Sequence, residues 1–460
     1  MEPFQNNGIW WVPGTPERVS GKIEFAPTEG VTLELNGTLP YEGDGSERNA
    51  RFELEKEQSV IYGDLGQGGM MTIQHAVQTS ANFGGNVESE EYTANQVFVG
   101  DRLPENPTFQ RMDFYIDEIP TWTNASTVRS VVDREAVEDI VDYDEVEAAF
   151  ATTGSTRYSA DVDSFEINVS NYSKTSSSAR SVEMETVGIL EVIADDEASL
   201  DTLSEYGVHA LEYLSFAIGT GIYPDEIQVH TETNDRPVDY YYTILDYTAN
   251  RSANRAHHLF SPNNVGFENT LRNWIEHRDQ STEVHQNYAS LIHRSNLTPQ
   301  LRLLTATIAL EAFYDAEHPS ETVMPEEQFD EIQSDIMDVV PDNSDIQSQI
   351  YGLLENVANS PSIKDKLIEL MESEEELIGI FFDIPELASE ARRQRNALAH
   401  GSMEATQIEL NVLSEKLRLV LEALLARKIG VPADDLPNPL ASRHQGLVGQ
   451  LDISEDSELL

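Results

Sequence analysis

Apolar and polar positions change their period a little past the middle of this chain. From residue 8 to about 120 they alternate in short runs, such as Lys22-Ile23-Glu24-Phe25 and Val31-Thr32-Leu33-Glu34-Leu35. A period of two, punctuated by Gly and Pro, predicts strands joined by tight turns. Further strands are expected at Ser59–Asp64, Met70–Gln78, Ala94–Val99 and Thr108–Ile116, with Gly30, Gly37, Gly43, Gly45, Gly63, Gly66 and Gly68-Gly69 at turns. The pattern fits a β-sandwich or a partly open barrel.

Residues 124–260 are mixed. Val182–Ala194 and Glu226–Tyr247 have strand character, while Ser199–Thr220 places Leu203, Tyr206, Leu211, Leu214 and Ile218 near helical spacing. Ser170–Ser181 reads as a loop or hairpin tip. From about Asn263 the period is helical, with helices expected at Gly266–Glu276, Glu283–Ser295, Pro299–Glu317, Pro325–Val340, Asp345–Asn359, Ile363–Glu372, Pro385–His400 and Ala405–Ile429. Pro299 and Pro325 suit helix starts, and Gly401 and Gly430 suit helix ends. The expected class is therefore multidomain α+β. A β-rich domain (1–123) and a mixed α/β continuation (124–262) precede an all-helical domain (263–430) and an acidic, flexible tail (431–460).

Charge adds a setting rather than an activity. The 460 residues carry a net charge of −53, and Lys22, Lys56, Lys174, Lys364, Lys366, Lys416 and Lys428 are all the lysines. Acid spread along the whole chain fits a halophilic protein kept hydrated in concentrated salt, where the Debye length falls to about 3 Å at 1 M. The absence of Cys excludes disulfides, thiolate nucleophiles and Cys-ligated metal sites. Met1-Glu2-Pro3-Phe4-Gln5 has no basic or apolar leader character, and no apolar run reaches the length of a membrane span. The expectation is a cytoplasmic protein that does not engage a membrane.

Against this acidity, Arg392-Arg393-Gln394-Arg395-Asn396-Ala397-Leu398-Ala399-His400-Gly401 stands out. Arginine supplies a fixed cation for a phosphate and histidine can move protons, so the segment holds the means for metal-free phosphodiester chemistry. Arg393, Asn396, Ala397 and His400 share one helix face, whereas Arg395 lies roughly 140° from His400. His400 should sit in the last turn, where the helix dipole favours imidazolium, with Gly401 at C′. On periodicity alone the plainer reading leads: His400 caps its helix and the arginines solvate a face. His257, His258, His277, His285 and His293 lack metal-ligand spacing, and Glu372–Glu376 lacks the alternation of a calcium loop. Gly66-Gln67-Gly68-Gly69 lacks the Lys-Ser/Thr of a phosphate loop. For Trp10-Trp11, one ring in the core and its neighbour at the edge is the simplest arrangement.

Arg395-Asn396-Ala397-Leu398-Ala399-His400 resembles the R-x4-H signature of HEPN domains, in the form where Asn follows Arg. Ala309-Leu310-Glu311-Ala312-Phe313 resembles that family's earlier helix, where an acidic residue often faces the motif. Gly8-Ile9-Trp10-Trp11-Val12-Pro13-Gly14, Val19–Ile23, Tyr62-Gly63-Asp64, Met71-Thr72-Ile73 and Asp113–Trp122 resemble the ApeA N-terminal domain. Together they cover about 8–430 and point to an ApeA-type HEPN protein.

The resemblance implies an RNase active in phage defence and abortive infection, without cofactor or metal. Its partners would be RNA, a second copy of the chain through the helical domain, and a phage-derived trigger at a sensing or regulatory N-terminal region. It implies catalytic Arg395, Asn396 and His400, supported by Arg392, Arg393 and Glu311. Arg393 gives a second permitted spacing, R-x6-H; Arg395 is preferred because Asn follows it. Arg272, Arg278, Arg294 and Arg302 are candidates to widen a local basic cleft. The rival reading is a non-catalytic module binding nucleotide, RNA or protein, and a purely structural dimeric scaffold is the third.

Overall fold

The computed structural model describes residues 1–40, 57–82, 88–125, 128–131, 149–152, 154–178, 182–232, 236–244, 254–319, 322–340, 344–356, 359–402 and 405–445. The turns expected at Gly43 and Gly45, and the end of the tail at 446–460, lie outside them. The chain divides into two compact units. One comprises Met1–Arg255 and Ser261–Arg272, the other Ala256–Phe260 and Asn273–Leu460.

Strands β1 (Phe4–Trp11), β2 (Val19–Ala26), β3 (Gly30–Leu35), β4 (Glu57–Asp64), β5 (Met70–Asn82) and β6 (Ser89–Ala94) form the first part of unit one. They pair antiparallel in the ring β1-β2-β3-β6-β5-β4, which the β1–β4 ladder closes. The expected sandwich or partly open barrel is thus a six-stranded barrel whose edges pair with each other. Val19, Gly21, Ile23 and Phe25 alternate inward along β2 as the period of two requires. Trp10 is fully buried. Its indole fills the space beside Gly63, where a Cβ would come within 2.3 Å of the ring.

The same sheet continues beyond the barrel through β7 (Gln96–Val99), β15 (Val238–Tyr242), β14 (Glu226–His230), β8 (Thr108–Tyr115), β13 (Val182–Ser199), β12 (Phe165–Ser177) and β11 (Thr156–Val162). The β8–β13 and β8–β14 ladders cross the expected boundary at residue 123, so backbone hydrogen bonding joins the two segments. A separate two-stranded antiparallel sheet pairs β9 (Val128–Val131) with β10 (Ala149–Thr152). Strand character expected over Glu226–Tyr247 divides into β14 and β15, and Pro237, which lacks a ladder N–H, stands just before β15. Of the Ser-rich segment expected to be a loop or hairpin tip, Ser170–Ser177 instead lie on β12, paired with β13 as far as Ser177 opposite Val182; residues 179–181 lie outside the described residues. After the one-turn helix α1 (Ile119–Trp122), α2 (Leu200–Ile218) packs on β8 and β13. Gly207 lets it approach, because a Cβ there would sit 2.3 Å from Phe114 Cζ.

Helix α3 (Phe267–Gln280) contains the division between the units. Unit two continues through α4 (Thr282–His293), α5 (Pro299–Glu317), α6 (Glu326–Val339), α7 (Ser344–Asn356), α8 (Ile363–Glu372), α9 (Glu375–Ile378), α10 (Ile384–His400) and α11 (Gln407–Lys428). All eight expected helices are present; α9, a single turn, was not legible. Helix α5 is central and packs against α4, α8, α10 and α11. Its buried Leu303, Ala306, Thr307, Ala309, Leu310, Phe313 and Tyr314 cover too wide an arc for one neighbour. Thr406 and Glu409 form a capping box at the start of α11.

The tail needs correction over 431–445. Residues 437–445 are helical, and Val431, Leu436 and Leu440 are buried. Arg443 reaches Glu422 Oε2 at 2.6 Å in the bundle interior and donates from Nε to the His257 carbonyl at 2.6 Å. Arg418 also pairs with Glu422 at 3.0 Å, and the Tyr288 hydroxyl donates to the same carboxylate at 3.0 Å. A mostly acidic and proline-bearing composition concealed three apolar anchors and one buried arginine. No helix among the described residues is long and apolar enough to cross a membrane.

Candidate functional site

Helix α10 carries the arginine–histidine segment, and its cap sequence explains its limits. Asp383 accepts the Glu386 N–H at 2.9 Å, and Pro385 sits in the first turn, where its missing N–H costs nothing. Leu387, Ala388, Ala391 and Gln394 are buried at steps of three and four, which fixes the rotation of the helix. At the far end Gly401 adopts φ 66°, and the Ser402 N–H donates to the Ala397 carbonyl at 2.9 Å. This left-handed cap stops the helix directly after His400, as the Gly predicts. His400 is exposed.

Packing of that buried stripe turns Arg395 toward α5. Its Nη2 lies 3.6 Å from Glu311 Oε2, joining the two segments that sequence singled out separately. Burial raises the Glu311 carboxyl above its ordinary range; Arg395 and Lys366 oppose the rise, and Asp315 adds to it. Lys366 pairs with Asp315 and lies over the Tyr314 ring, 5.4 Å from its centroid. A small charged cluster of Arg395, Glu311, Lys366 and Asp315 therefore spans α10, α5 and α8. Lys366 and Asp315 were missed by sequence reasoning; the scarcity of lysine was the one signal that could have drawn attention to Lys366.

The remaining predicted residues are arranged differently. Arg393 is 71% exposed, with its nearest carboxylate Glu390 at 3.8 Å on the same helix. Arg392 is exposed, and Asn396 is partly buried. No hydrogen bond or ion pair joins Arg395 to His400 among the described residues. Their separation of five helical positions turns them about 140° apart. One chain thus offers an arginine clamped on one side and a histidine open to solvent at the helix end.

The expected widening of a basic cleft is not supplied by Arg302. Arg302 pairs with Glu415 at 3.2 Å, and its nine-residue separation from Glu311 puts it on the opposite face of α5. Arg272, in unit one, pairs with Glu268 and donates to the Asp161 carbonyl. Of the histidines, His277 and His285 are buried against each other, 2.8 Å between ring nitrogens, and burial lowers the pKa of His277. They pack beside Trp274 and Phe313 as core groups.

Two family models match the sequence. ApeA N-terminal domain 1 covers residues 5–274, and Apea-like HEPN covers residues 304–435, enclosing Glu311 and all of Arg392–His400. No curated protein and no solved structure matches the chain.

Proposed function

The chain belongs to the ApeA family, with an Apea-like HEPN domain as its helical half, and from that premise we propose that it is a metal-independent endoribonuclease of phage defence. The observation that carries this reading is the 3.6 Å contact of Arg395 with Glu311, which fixes a guanidinium five positions before the exposed His400 on the same helix. The RNA 2′-hydroxyl attacks the adjacent phosphorus as its proton leaves, and the bond to the 5′-oxygen breaks as that oxygen gains a proton. The products are a 2′,3′-cyclic phosphate and a 5′-hydroxyl. His400 serves one of these proton transfers, and Arg395 stabilises charge on the pentacoordinate phosphoryl group. Asn396 orients the phosphate or the imidazole, with Arg392 and Arg393 adding positive charge outside.

One imidazole does not readily serve as base and acid together, so a second copy of the chain supplies the other through the helical domain. The N-terminal unit acts as sensor or regulator of a phage-derived trigger. The rival reading, a non-catalytic RNA- or nucleotide-binding module, draws on the lack of any link between Arg395 and His400 within one chain.

Purified protein incubated with RNA in high salt and EDTA separates the two. We expect cleavage with cyclic phosphate ends, slowed roughly 10²–10⁴-fold in His400→Ala and comparably in Arg395→Ala. RNA that stays intact while bound, or undiminished cleavage by both variants, would sink the nuclease assignment. Cleavage abolished by EDTA would sink its metal independence.

A further inference from the structure

The Trp10-Trp11-Val12-Pro13-Gly14 stretch does more than fill the barrel. Trp10 is the core ring, but Trp11, on the next position of β1, gathers two arginines. Arg18 Cζ lies 4.4 Å from the Trp11 ring centroid and Arg102 Cζ lies 5.0 Å from it. Both arginines are exposed, while Trp11 beneath them is 7% exposed. Cation–π contact holds a guanidinium in place without consuming its charge.

Each arginine is delivered by a built support. Val12–Thr15 make a tight turn closed by the Thr15 N–H to the Val12 carbonyl at 3.3 Å, with Pro13 and then Gly14 at φ 78°. The Thr15 hydroxyl adds a second bond to that carbonyl at 2.8 Å. Arg18 Nη1 then donates to the Thr15 and Glu17 carbonyls, both at 2.9 Å. The segment bearing Arg102 is pinned to the barrel by three side chains. The Tyr62 hydroxyl donates to the Leu103 carbonyl at 3.0 Å, Thr72 Oγ1 to the Asp101 carbonyl at 3.0 Å, and Gln74 Nε2 to the Pro104 carbonyl at 3.0 Å. Arg102 Nη2 itself touches Met70 Sδ at 3.4 Å.

Neither guanidinium has a carboxylate partner among the described residues. The neighbouring acids are Glu17 and Asp101; Asp101 Oδ1 accepts the backbone N–H of Arg102 at 2.7 Å. By contrast, in this chain of net charge −53, Arg111, Arg272, Arg302, Arg418, Arg427 and Arg443 are each paired with Asp or Glu. Two unpaired, preoriented guanidiniums around one ring match a phosphate group, whose oxygens accept their N–H groups.

We propose that Arg18 and Arg102, held on Trp11 at the barrel, form a binding site for a phosphate group, carried by a free nucleotide or by an RNA strand. The ring is already covered by the arginines, so the site reads phosphate and leaves a base unstacked. This site stands independently of the nuclease reading.

The test uses the full chain carrying His400→Ala and Arg395→Ala, so that cleavage and the motif's own phosphate contacts are removed. Inorganic pyrophosphate, ATP and a short single-stranded RNA are titrated calorimetrically at two KCl concentrations. Saturable binding is expected, weakened about tenfold or more by Arg18→Gln or Arg102→Gln and only partly kept by Arg18→Lys. Binding of ATP and pyrophosphate assigns the site to free phosphates, whereas binding of RNA alone assigns it to the strand. No saturable binding of any probe, or affinities unchanged by both Gln substitutions, overturns the proposal. Thermal unfolding of each variant checks that the exposed substitutions leave the barrel folded.

Discussion

Arg395 and Arg393 are two residues apart and both satisfy a permitted spacing to His400, yet their surroundings differ. Arg395 contacts a carboxylate on another helix, while Arg393 reaches only Glu390 on its own. Glu311 therefore acts in the proposed nuclease as a positioning residue for Arg395. Burial raises the Glu311 pKa, so its folded form favours the proton. Its stability contribution is present below the ordinary glutamate range and is lost as pH rises through the raised value. Glu311→Gln should accordingly leave the neutral-pH melting temperature unchanged or slightly higher and flatten its dependence on acid pH. The same variant should slow RNA cleavage by about tenfold, while Arg393→Ala changes it little. A stability loss in Glu311→Gln at neutral pH, or an Arg393 effect larger than that of Arg395, would refute this placement.

At the scale of elements, the last described helix is held by chemistry that pattern reading does not reveal. Glu422 is fully buried on α11; burial pushes its carboxyl up, but Arg418 and Arg443 beside it hold it below the ordinary value. The stability this gives is present above the ordinary carboxylate range and is lost as pH falls through the lowered value. Arg443→Met leaves Glu422 short of one partner and should cost about 3–5 kcal/mol at neutral pH. The loss should shrink in acid, where Glu422 takes up a proton. Chemical denaturation at both pH values measures it, and an equal loss at each would count against the ion pair as its source. The helical period predicted α10 and α11 well, because their apolar stripes and caps are local properties. The fastening of 431–445 was hidden, since Arg443 meets Glu422 on another helix and the His257 carbonyl 186 positions away, neither within reach of a local period.

For the whole molecule, the −53 charge sets the conditions under which any activity is read. Self-repulsion among exposed carboxylates should make the melting temperature climb with KCl as the Debye length shortens from about 10 Å at 0.1 M to about 3 Å at 1 M. A melting temperature that stays flat or falls across that range would remove the halophilic reading. Counterion release gives RNA little drive to bind at such salt. Both proposed phosphate contacts, at Arg395 and at Arg18 with Arg102, therefore depend on placed guanidiniums rather than on net charge.

Sequence by itself determined the order of β-rich and helical halves, α2 and the eight long helices of the second half, the strands β2–β5, β7, β8 and β13–β15, the end of α10 at His400 and the family resemblance carried by two separated motifs. Those features follow from periodicity, caps and turn residues, which act over a few positions. Tertiary structure alone decided that the barrel ring closes, that Arg395 rather than Arg393 meets Glu311, and that Arg302 pairs with Glu415. It also placed Arg102 beside Trp11 and Arg443 beside Glu422. Each of these is a pairing beyond the reach of a local period, fixed by which faces pack together and where buried charge must find a partner.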